Sequence, residues 1–260
     1  MTQYQFGHEW QQERDRLASL EQFEDPGTIR HLQRIGIGSG WRCLEVGAGG
    51  GSIAAWLCEQ VGSTGHVVTT DLETKFVAAL HHPNLEVRRQ DIASDELPEE
   101  AFDLIHERAV LLHIPTRHEV LARLVNALKP GGWLLCEDTD FSTFGSPFAA
   151  VRRVAAAMIQ FLESQGADPN YGRRLFGDLR AMGLLDVGAE GRVYMMRGGH
   201  PSSVLPRLTF ERIRDPIVAS GAASKTEFDE ALALLNDPEM AVMSPVMMAA
   251  WGRRANGQPE

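Results

Sequence analysis

The chain of 260 residues has few cysteines, no long apolar run and no excess of basic residues. Its three cysteines, Cys43, Cys58 and Cys136, are odd in number and widely spaced, which favours buried thiols in a reducing compartment over a disulfide framework. No apolar stretch approaches the roughly 20 residues that span a bilayer. The N-terminus also lacks the basic start and apolar core of a signal peptide. We therefore expect a cytoplasmic protein without membrane insertion.

The charge of the chain argues against a polyanionic partner. The formal net charge is −10, and the paired arginines are scattered rather than clustered. Such a surface repels a nucleic acid, so we expect no nucleic-acid partner. The nine histidines form neither a His-Glu-x-x-His motif nor a cluster with cysteine, and we expect no metal site. The sequence leaves a homodimer open.

Hydrophobic residues make up 43% of the chain, enough for a substantial core. Apolar strand-like runs alternate with helical patterns from residue 41 onwards, which predicts a mostly parallel sheet covered on both faces. We predict an α/β fold with a Rossmann-like, seven-stranded sheet. The predicted strands cover 42–46, 65–72, 85–92, 102–108, 133–141, 184–196 and 244–254, and the predicted helices cover 52–61, 74–81, 116–128 and 147–164.

The segments before and after this alternation of strands and helices have different patterns. Before it, residues 8–21 have helical spacing, "EDPG" predicts a turn, and a short helix is expected from about Thr28 to Gly36. We interpret residues 1–40 as a helical lid on a main domain of residues 41–260. Residues 197–238 interrupt the last two strands, and we interpret them as an inserted helical cap over the substrate.

The stretch "RCLEVGAGGGS" (42–52) places four glycines in five positions directly after a strand. Ligands of open α/β sheets bind beyond the carboxyl ends of the strands, and glycines such as Gly47 and Gly49 allow close approach of the backbone. A tight turn is the alternative, but one glycine would satisfy it. Ser52 stands where a dinucleotide motif has glycine, and Glu45 favours a ligand bearing a cation.

Two further acids end the next strands. Asp71 follows "HVVTT" and is suited to accept both hydroxyls of an adenosine ribose, a feature shared with nicotinamide-binding folds. Asp91 is suited to accept from an exocyclic amine while Ile92 meets the ring edge. The alternative for Asp91 is a solvated or helix-capping carboxylate.

These motifs together resemble the class I S-adenosylmethionine-dependent methyltransferases, and most of all the branch of ubiquinone/menaquinone C-methyltransferases and bacterial natural-product methyltransferases. The resemblance is strong over about 41–140 and looser elsewhere. It rests on "LEVGAGGGS", "VVTTDL", "VRRQDI", "FDLIHERAVLLHIP" and "LKPGGWLLCED". It implies S-adenosyl-L-methionine as cofactor, S-adenosyl-L-homocysteine as product, and four groups of site residues: Glu45, Gly47, Ala48 and Gly49 at the methionine end; Asp71 and Leu72 at the ribose and adenine; Asp91 and Ile92 at the adenine amine; Glu107 and Arg108 beneath the sulfonium.

Catalytic candidates are fewer. His113 follows the fourth strand and is the predicted base, with packing or capping as the alternative. His106 lies inside that strand and is interpreted as structural. Asp138 and Asp140 follow the fifth strand, and either faces the pocket or is solvated. In similar enzymes an N-terminal segment folds over the cofactor, so the Tyr4 hydroxyl is predicted at the methionine carboxylate; packing near Trp10 is the alternative.

The predicted function is methyl transfer to an O, N or C atom of a small, partly apolar metabolite, in the manner of natural-product biosynthesis. A cluster of late methionines, such as Met195 and Met243, suits either an apolar pocket or core filling. Two alternatives stay open: a nicotinamide-dependent oxidoreductase of the same fold class, and an S-adenosylmethionine-binding protein without turnover.

Overall fold

The structure, a computed structural model, describes residues 11–256. Within this range the strands are β1 (Arg42–Val46), β2 (His66–Asp71), β3 (Leu85–Arg89), β4 (Phe102–Arg108), β5 (Leu128–Asp140), β6 (Leu185–Arg192), β7 (Met195–Arg197), β8 (Ala241–Met243) and β9 (Val246–Arg253). The α-helices are α1 (Glu13–Ile35), α2 (Ser52–Val61), α3 (Arg117–Ala127), α4 (Ala149–Ser164), α5 (Leu175–Ala181), α6 (Val204–Ser220) and α7 (Lys225–Asn236).

Seven strands form one sheet in the order β3-β2-β1-β4-β5-β9-β6. The pairs among β1 to β5 are parallel, and β9 runs antiparallel to both of its neighbours. The predicted seven-stranded, mostly parallel Rossmann-like sheet is therefore confirmed. Because the strand order reverses between β1 and β4, the crevice above these two strands is the expected position of a ligand.

Apolar side chains cover both faces of the sheet. On one face, Leu32 of α1 and Leu57 of α2 join a core that includes Leu135. On the other, Leu121 of α3 joins a second core. Strand residues alternate between these faces, since successive side chains of a strand point in opposite directions. The sheet is thus buried on both faces. A polar side chain that lies inside it therefore points to a specific partner or role.

Helix α1 differs from the prediction of two helices separated by a turn at "EDPG". It runs without a break from Glu13 to Ile35 with Pro26 inside it, and it ends at Gly36 as predicted. Gly27 has a packing role instead of a turn role: a Cβ at this position would overlap the guanidinium of Arg192 on β6. Gly27 therefore leaves room for the Arg192 guanidinium between α1 and the sheet.

Several other boundaries also differ. Residues 74–81 form only a 3₁₀ turn at Val77–Ala79. Leu80 then has an extended backbone, and its side chain fills the space that a Cβ on Gly51 would enter. Strand β5 begins at Leu128, the end of the predicted helix 116–128, and so includes the "KPGG" segment before the predicted strand 133–141. Helix α5 was not predicted. The predicted strand 184–196 is divided between β6 and β7, and β7 pairs with β8 in a separate ribbon.

The insertion at 197–238 contains α6 and α7, which pack with α4 around a third apolar core that includes Val154, Ile213 and Phe228. It touches α1, where the Ser19 hydroxyl accepts from the Leu205 N–H at 3.1 Å. Among residues 11–256, no helix combines the length and apolar character needed to cross a membrane. Over the same range, no group of three or more His, Cys, Asp or Glu side chains is placed to hold a metal ion.

Candidate active site

The glycine loop after β1 has the backbone that only glycine adopts easily. Gly47, Gly49 and Gly51 all have positive φ values, of 70°, 52° and 89°. A Cβ on Gly47 would also overlap the Val110 side chain, which comes from the loop after β4. The loop is therefore closed by neighbours on one side and leaves its main chain accessible on the other. The predicted ligand loop has the conformation that such a role requires.

Asp71, at the end of β2, is bound to this loop. Its Oδ2 accepts from the Gly49 N–H at 2.9 Å, and its Oδ1 accepts from the Glu73 N–H at 3.0 Å. Each carboxylate oxygen has a second lone pair, so the two oxygens retain acceptor capacity. Next to it, the Thr70 hydroxyl is buried without a hydrogen-bond partner among the described residues. An unpaired buried polar atom beside a cleft indicates a site for a polar ligand.

The segment after β3 forms the other wall. The Asp91 Oδ1 accepts from the Ala93 N–H at 2.9 Å, and Ile92 is buried beside it. Leu72 is 40% exposed, which leaves its side chain available to pack on a flat ring. The Gln90 Oε1 is also buried with no hydrogen-bond partner in the described part of the chain. Apolar and polar groups therefore meet at this wall of the cleft.

Helix α1 covers this crevice. Its residues Arg16, Leu17, Leu20 and Glu21 line a cleft of about 190 Å³ together with the glycine loop, Asp71, Asp91 and the loop after β4. A Cβ on Gly49 would lie 3.2 Å from Leu17 Cδ2, so the helix packs directly on the loop. The helix belongs to the segment 1–40 for which a lid is predicted, and the lid role stays a prediction. Of the described residues that line the cleft, none comes from the 197–238 insertion.

Glu45 lines the cleft and is almost fully buried, with 4% exposure. Its Oε2 accepts a 2.6 Å hydrogen bond from Nδ1 of His106, on the adjacent strand. Burial alone would lower the pKa of His106, but the charges of Glu45 and Glu137 outweigh it and raise the pKa to about 9. With this pKa the His106 ring is protonated at neutral pH, and its interpretation as a structural residue stays a prediction.

Arg108 and Glu107 point to opposite faces of β4, as successive strand residues do. Arg108 lines the cleft and donates to Asp25 Oδ1 at 2.8 Å and to the Thr28 hydroxyl at 2.9 Å. Glu107 does not line the cleft: it is fully buried, and its Oε2 accepts from the Val110 N–H at 3.3 Å. The structure thus differs from the prediction that both residues lie beneath the sulfonium.

His113 lines the cleft, in the 3₁₀ turn Leu111–His113. Burial, together with the charges of Arg16 and Arg117, lowers its pKa to about 4. The imidazole is therefore neutral at physiological pH, and it is an acceptor or weak base within reach of the cleft. Of the catalytic candidates, it is the one that the described cleft includes.

The two aspartates at the end of β5 lie elsewhere. Asp138 is fully buried away from the cleft, and burial, with the nearby charge of Glu107, raises its pKa well above the usual value. Asp140 accepts from Arg173 Nε at 2.9 Å and from the Ser142 N–H. Neither lines the cleft. Tyr4 lies outside the described residues, so its position at the methionine carboxylate remains a prediction.

The sequence analysis missed several residues of the cleft, among them Arg16, Thr70, Gln90 and Val110. Thr70 and Gln90 precede the two predicted acids and share their strand ends, so their positions carried a usable signal. Arg16 and Val110 reach the cleft from a helix and a loop whose orientation no local pattern specifies. Ala109, beside Val110, has a φ of 57°, which is rare for a residue other than glycine and marks a tight turn at the end of β4.

The fold and the cleft define an α/β domain with a cleft at the carboxyl edge of its sheet. Known proteins agree: residues 44–136 match the family described as Methyltransferase domain. Methyltransferase str2 of Strobilurus tenacellus is 34% identical over 152 residues, covering 55% of this chain and 53% of that protein. The ubiquinone/menaquinone biosynthesis C-methyltransferase UbiE of Pseudomonas putida is 29% identical over 112 residues, covering 40% and 44%.

Among solved structures, phosphoethanolamine N-methyltransferase 2 of Haemonchus contortus, in complex with phosphomonomethylethanolamine and S-adenosylhomocysteine, has a TM-score of 0.54. It is 16% identical, and the match covers 94% of this chain and 52% of that one, which supports the fold. The chain spans about half the length of the curated relatives it matches. Residues 44–136 therefore form a methyltransferase domain, as the motifs predicted, and the oxidoreductase alternative is set aside.

Proposed function

We propose that this protein transfers a methyl group from S-adenosylmethionine to an O, N or C atom of a small, partly apolar metabolite. One observation supports this most directly. A single cleft at the reversal point of the sheet brings together the glycine loop, Glu45, Asp71 and the Asp91–Ile92 pair. Three of these groups come from the ends of three different strands, so their meeting is a property of the fold.

The residues present suit the cofactor. Asp71 and the Thr70 hydroxyl would hold the ribose hydroxyls, while Leu72 and Ile92 would pack on the adenine beside Asp91. The main chain of Gly47 and the carboxylate of Glu45 would hold the methionine end. The cofactor supplies a methyl group already activated by a positively charged sulfur. The chain's own contribution is then placement of the acceptor and exclusion of water.

The acceptor side of the cleft combines apolar and charged groups. Leu20 and Ile114 offer apolar contact, while Arg16 and Arg108 lie near the same opening. Neutral His113 would accept a hydrogen bond from a hydroxyl, amine or acidic C–H of the acceptor and orient it. Its low basicity means that it assists proton removal best when the acceptor is already acidic. A small metabolite with one ionisable group fits this lining.

Thermal shift is the first test of the proposal. S-adenosylhomocysteine should raise the melting temperature, because a ligand that binds the folded state alone stabilises it, and NADH should leave it unchanged. The reverse result would overturn the proposal. A non-catalytic binding protein passes this test as well. Incubation with methyl-labelled S-adenosylmethionine and a panel of phenols, amines and enolisable carbonyl compounds distinguishes the two, since label appears in an acceptor only if the protein is an enzyme.

The cysteines bear on where this reaction takes place. Cys43, Cys58 and Cys136 are all free and buried. Because free thiols persist in a reducing compartment, they support our proposal of a cytoplasmic enzyme.

A further inference from the structure

Three ionisable side chains lie side by side on the α1 face of the sheet. Glu45, His106 and Glu137 come from β1, β4 and β5, and their exposures are 4%, 0% and 0%. His106 Nδ1 lies 2.6 Å from Glu45 Oε2, and His106 Nε2 lies 3.4 Å from Glu137 Oε2. Since each ring nitrogen faces a carboxylate oxygen, both must donate, and the ring is cationic. A cation thus joins two buried carboxylates.

The far end of this group is bound to the lid helix. Glu137 accepts from the Thr28 hydroxyl, contacts His31 Nδ1 at 3.4 Å and pairs with Arg192 at 3.0 Å. Arg192 also pairs with Glu24 of α1 at 3.2 Å. Burial alone would raise the pKa of Glu137, but the hydrogen bonds from His106 and His31 and the charge of Arg192 hold it well below its usual value.

The near end of the group is Glu45, which also lines the cleft. A glutamate side chain has three rotatable bonds, and a charged hydrogen bond of 2.6 Å restricts them strongly. A carboxylate fixed before the ligand arrives binds a cation without the entropic cost of ordering it. His106 makes this bond from below, without lining the cleft itself.

We infer that His106 is a positioning residue that fixes the Glu45 carboxylate at the methionine end of the cleft and connects it, through Glu137, to helix α1. This inference rests on the proposed function, because the ligand group it serves is the ammonium of the cofactor. His106 does not touch the ligand. Its effect must therefore pass through Glu45 and must concern the amino-acid end of the ligand alone.

Calorimetry with two ligands tests this directly. S-adenosylhomocysteine contains the amino-acid end, whereas 5′-methylthioadenosine shares the adenosine and the sulfur but lacks the ammonium. We expect His106→Gln to weaken S-adenosylhomocysteine binding at least tenfold and to change 5′-methylthioadenosine binding less than threefold. Equal losses for both ligands would show a purely structural role, and no loss for either would show no role; each result overturns the inference.

A double-mutant cycle adds a second readout. If His106 acts through Glu45, the loss caused by His106→Gln should nearly disappear in a Glu45→Gln background. Additive losses would contradict the inference. The matched control is His66→Gln, since His66 is half-exposed and pairs with Glu86 at 3.2 Å on the surface; it should bind both ligands as the wild type does.

Folding and function can be separated in this design. If His106→Gln does not fold, Glu137→Gln takes its place, because it removes the second partner of His106 and leaves Glu45 intact; the same ligand-selective loss is expected, and an unselective loss overturns the inference. If the wild-type protein binds neither ligand, the proposed function fails first. Binding of both ligands with no selective loss in the variants leaves the proposed function standing and removes only the role of His106.

Discussion

The buried imidazolium predicts a specific dependence of stability on pH. Burial lowers the pKa of His106, but Glu45 and Glu137 raise it to about 9, above its ordinary value of 6.5. A group whose pKa is higher in the folded state contributes stability that is complete below the unfolded pKa and is lost as the pH rises through the folded pKa. The free energy of unfolding should therefore fall from about pH 6.5 upwards.

The size of the effect follows from the shift. Each pKa unit corresponds to about 1.4 kcal/mol, so a rise from 6.5 to about 9 amounts to about 3 kcal/mol in total. About 2 kcal/mol of this should be lost between about pH 6.5 and about pH 8.5. The pH range ends there because burial also raises the pKa values of the Cys43 and Cys58 thiols. Above the ordinary thiol pKa of 9.0, these two groups would lower the free energy of unfolding as well.

Guanidinium unfolding, followed by circular dichroism at several pH values, measures this loss. His106→Gln is the comparison, because groups remote from His106 titrate in both proteins and cancel in the difference. Burial raises the pKa of Glu107 to about 7 and the charge of His106 lowers it, so the comparison is made at pH values above 7, where this carboxyl is mostly ionised. We expect the wild-type curve to fall towards the variant's curve as the pH rises. Parallel curves would refute the reasoning, as would a labelled-histidine NMR titration that places this imidazole below its ordinary pKa of 6.5.

Three further predictions concern single substitutions. Asp71→Ala should weaken S-adenosylhomocysteine binding by about 1–3 kcal/mol, since it leaves polar groups unpaired; unchanged affinity in calorimetry would remove the ribose assignment. His113→Ala should lower turnover and spare cofactor affinity, and because burial and nearby arginines lower its pKa to about 4, the wild-type rate should show no acid limb near pH 6.5. Gly27→Ala should displace Arg192 and reduce the free energy of unfolding by about 3 kcal/mol, whereas Gly177→Ala, with open space around it, should be neutral or stabilising by up to about 1 kcal/mol.

The sequence predicts the central sheet and the glycine loop well because their signals are local. β1, α2 and β4 have the predicted bounds, since apolar runs and a glycine cluster decide them within a few residues. Asp71 and Asp91 reach the cleft for the same reason: the carboxyl ends of parallel strands share one edge. The site residues closest to the strands are therefore the ones that sequence reasoning finds.

The remaining features depend on partners that are distant in the chain. Pro26 and Gly27 look like a turn, and nothing nearby reveals that Gly27 accommodates Arg192 from β6. His106 has the position of a core residue, but its charge follows only from Glu45 and Glu137 on the neighbouring strands. Strand alternation separates Glu107 from Arg108, but which of the two lines the cleft depends on the face of the sheet that α1 covers.

The two halves of helix α1 make different contacts. Arg16, Leu17 and Glu21 cover the cleft, whereas Thr28 and His31 are bound to the sheet. Pro26 lies between the halves and lacks the N–H that would bond to the preceding turn. We therefore expect the N-terminal half of α1 to bend outward at Pro26 when ligands enter and leave, while the C-terminal half stays bound to the sheet.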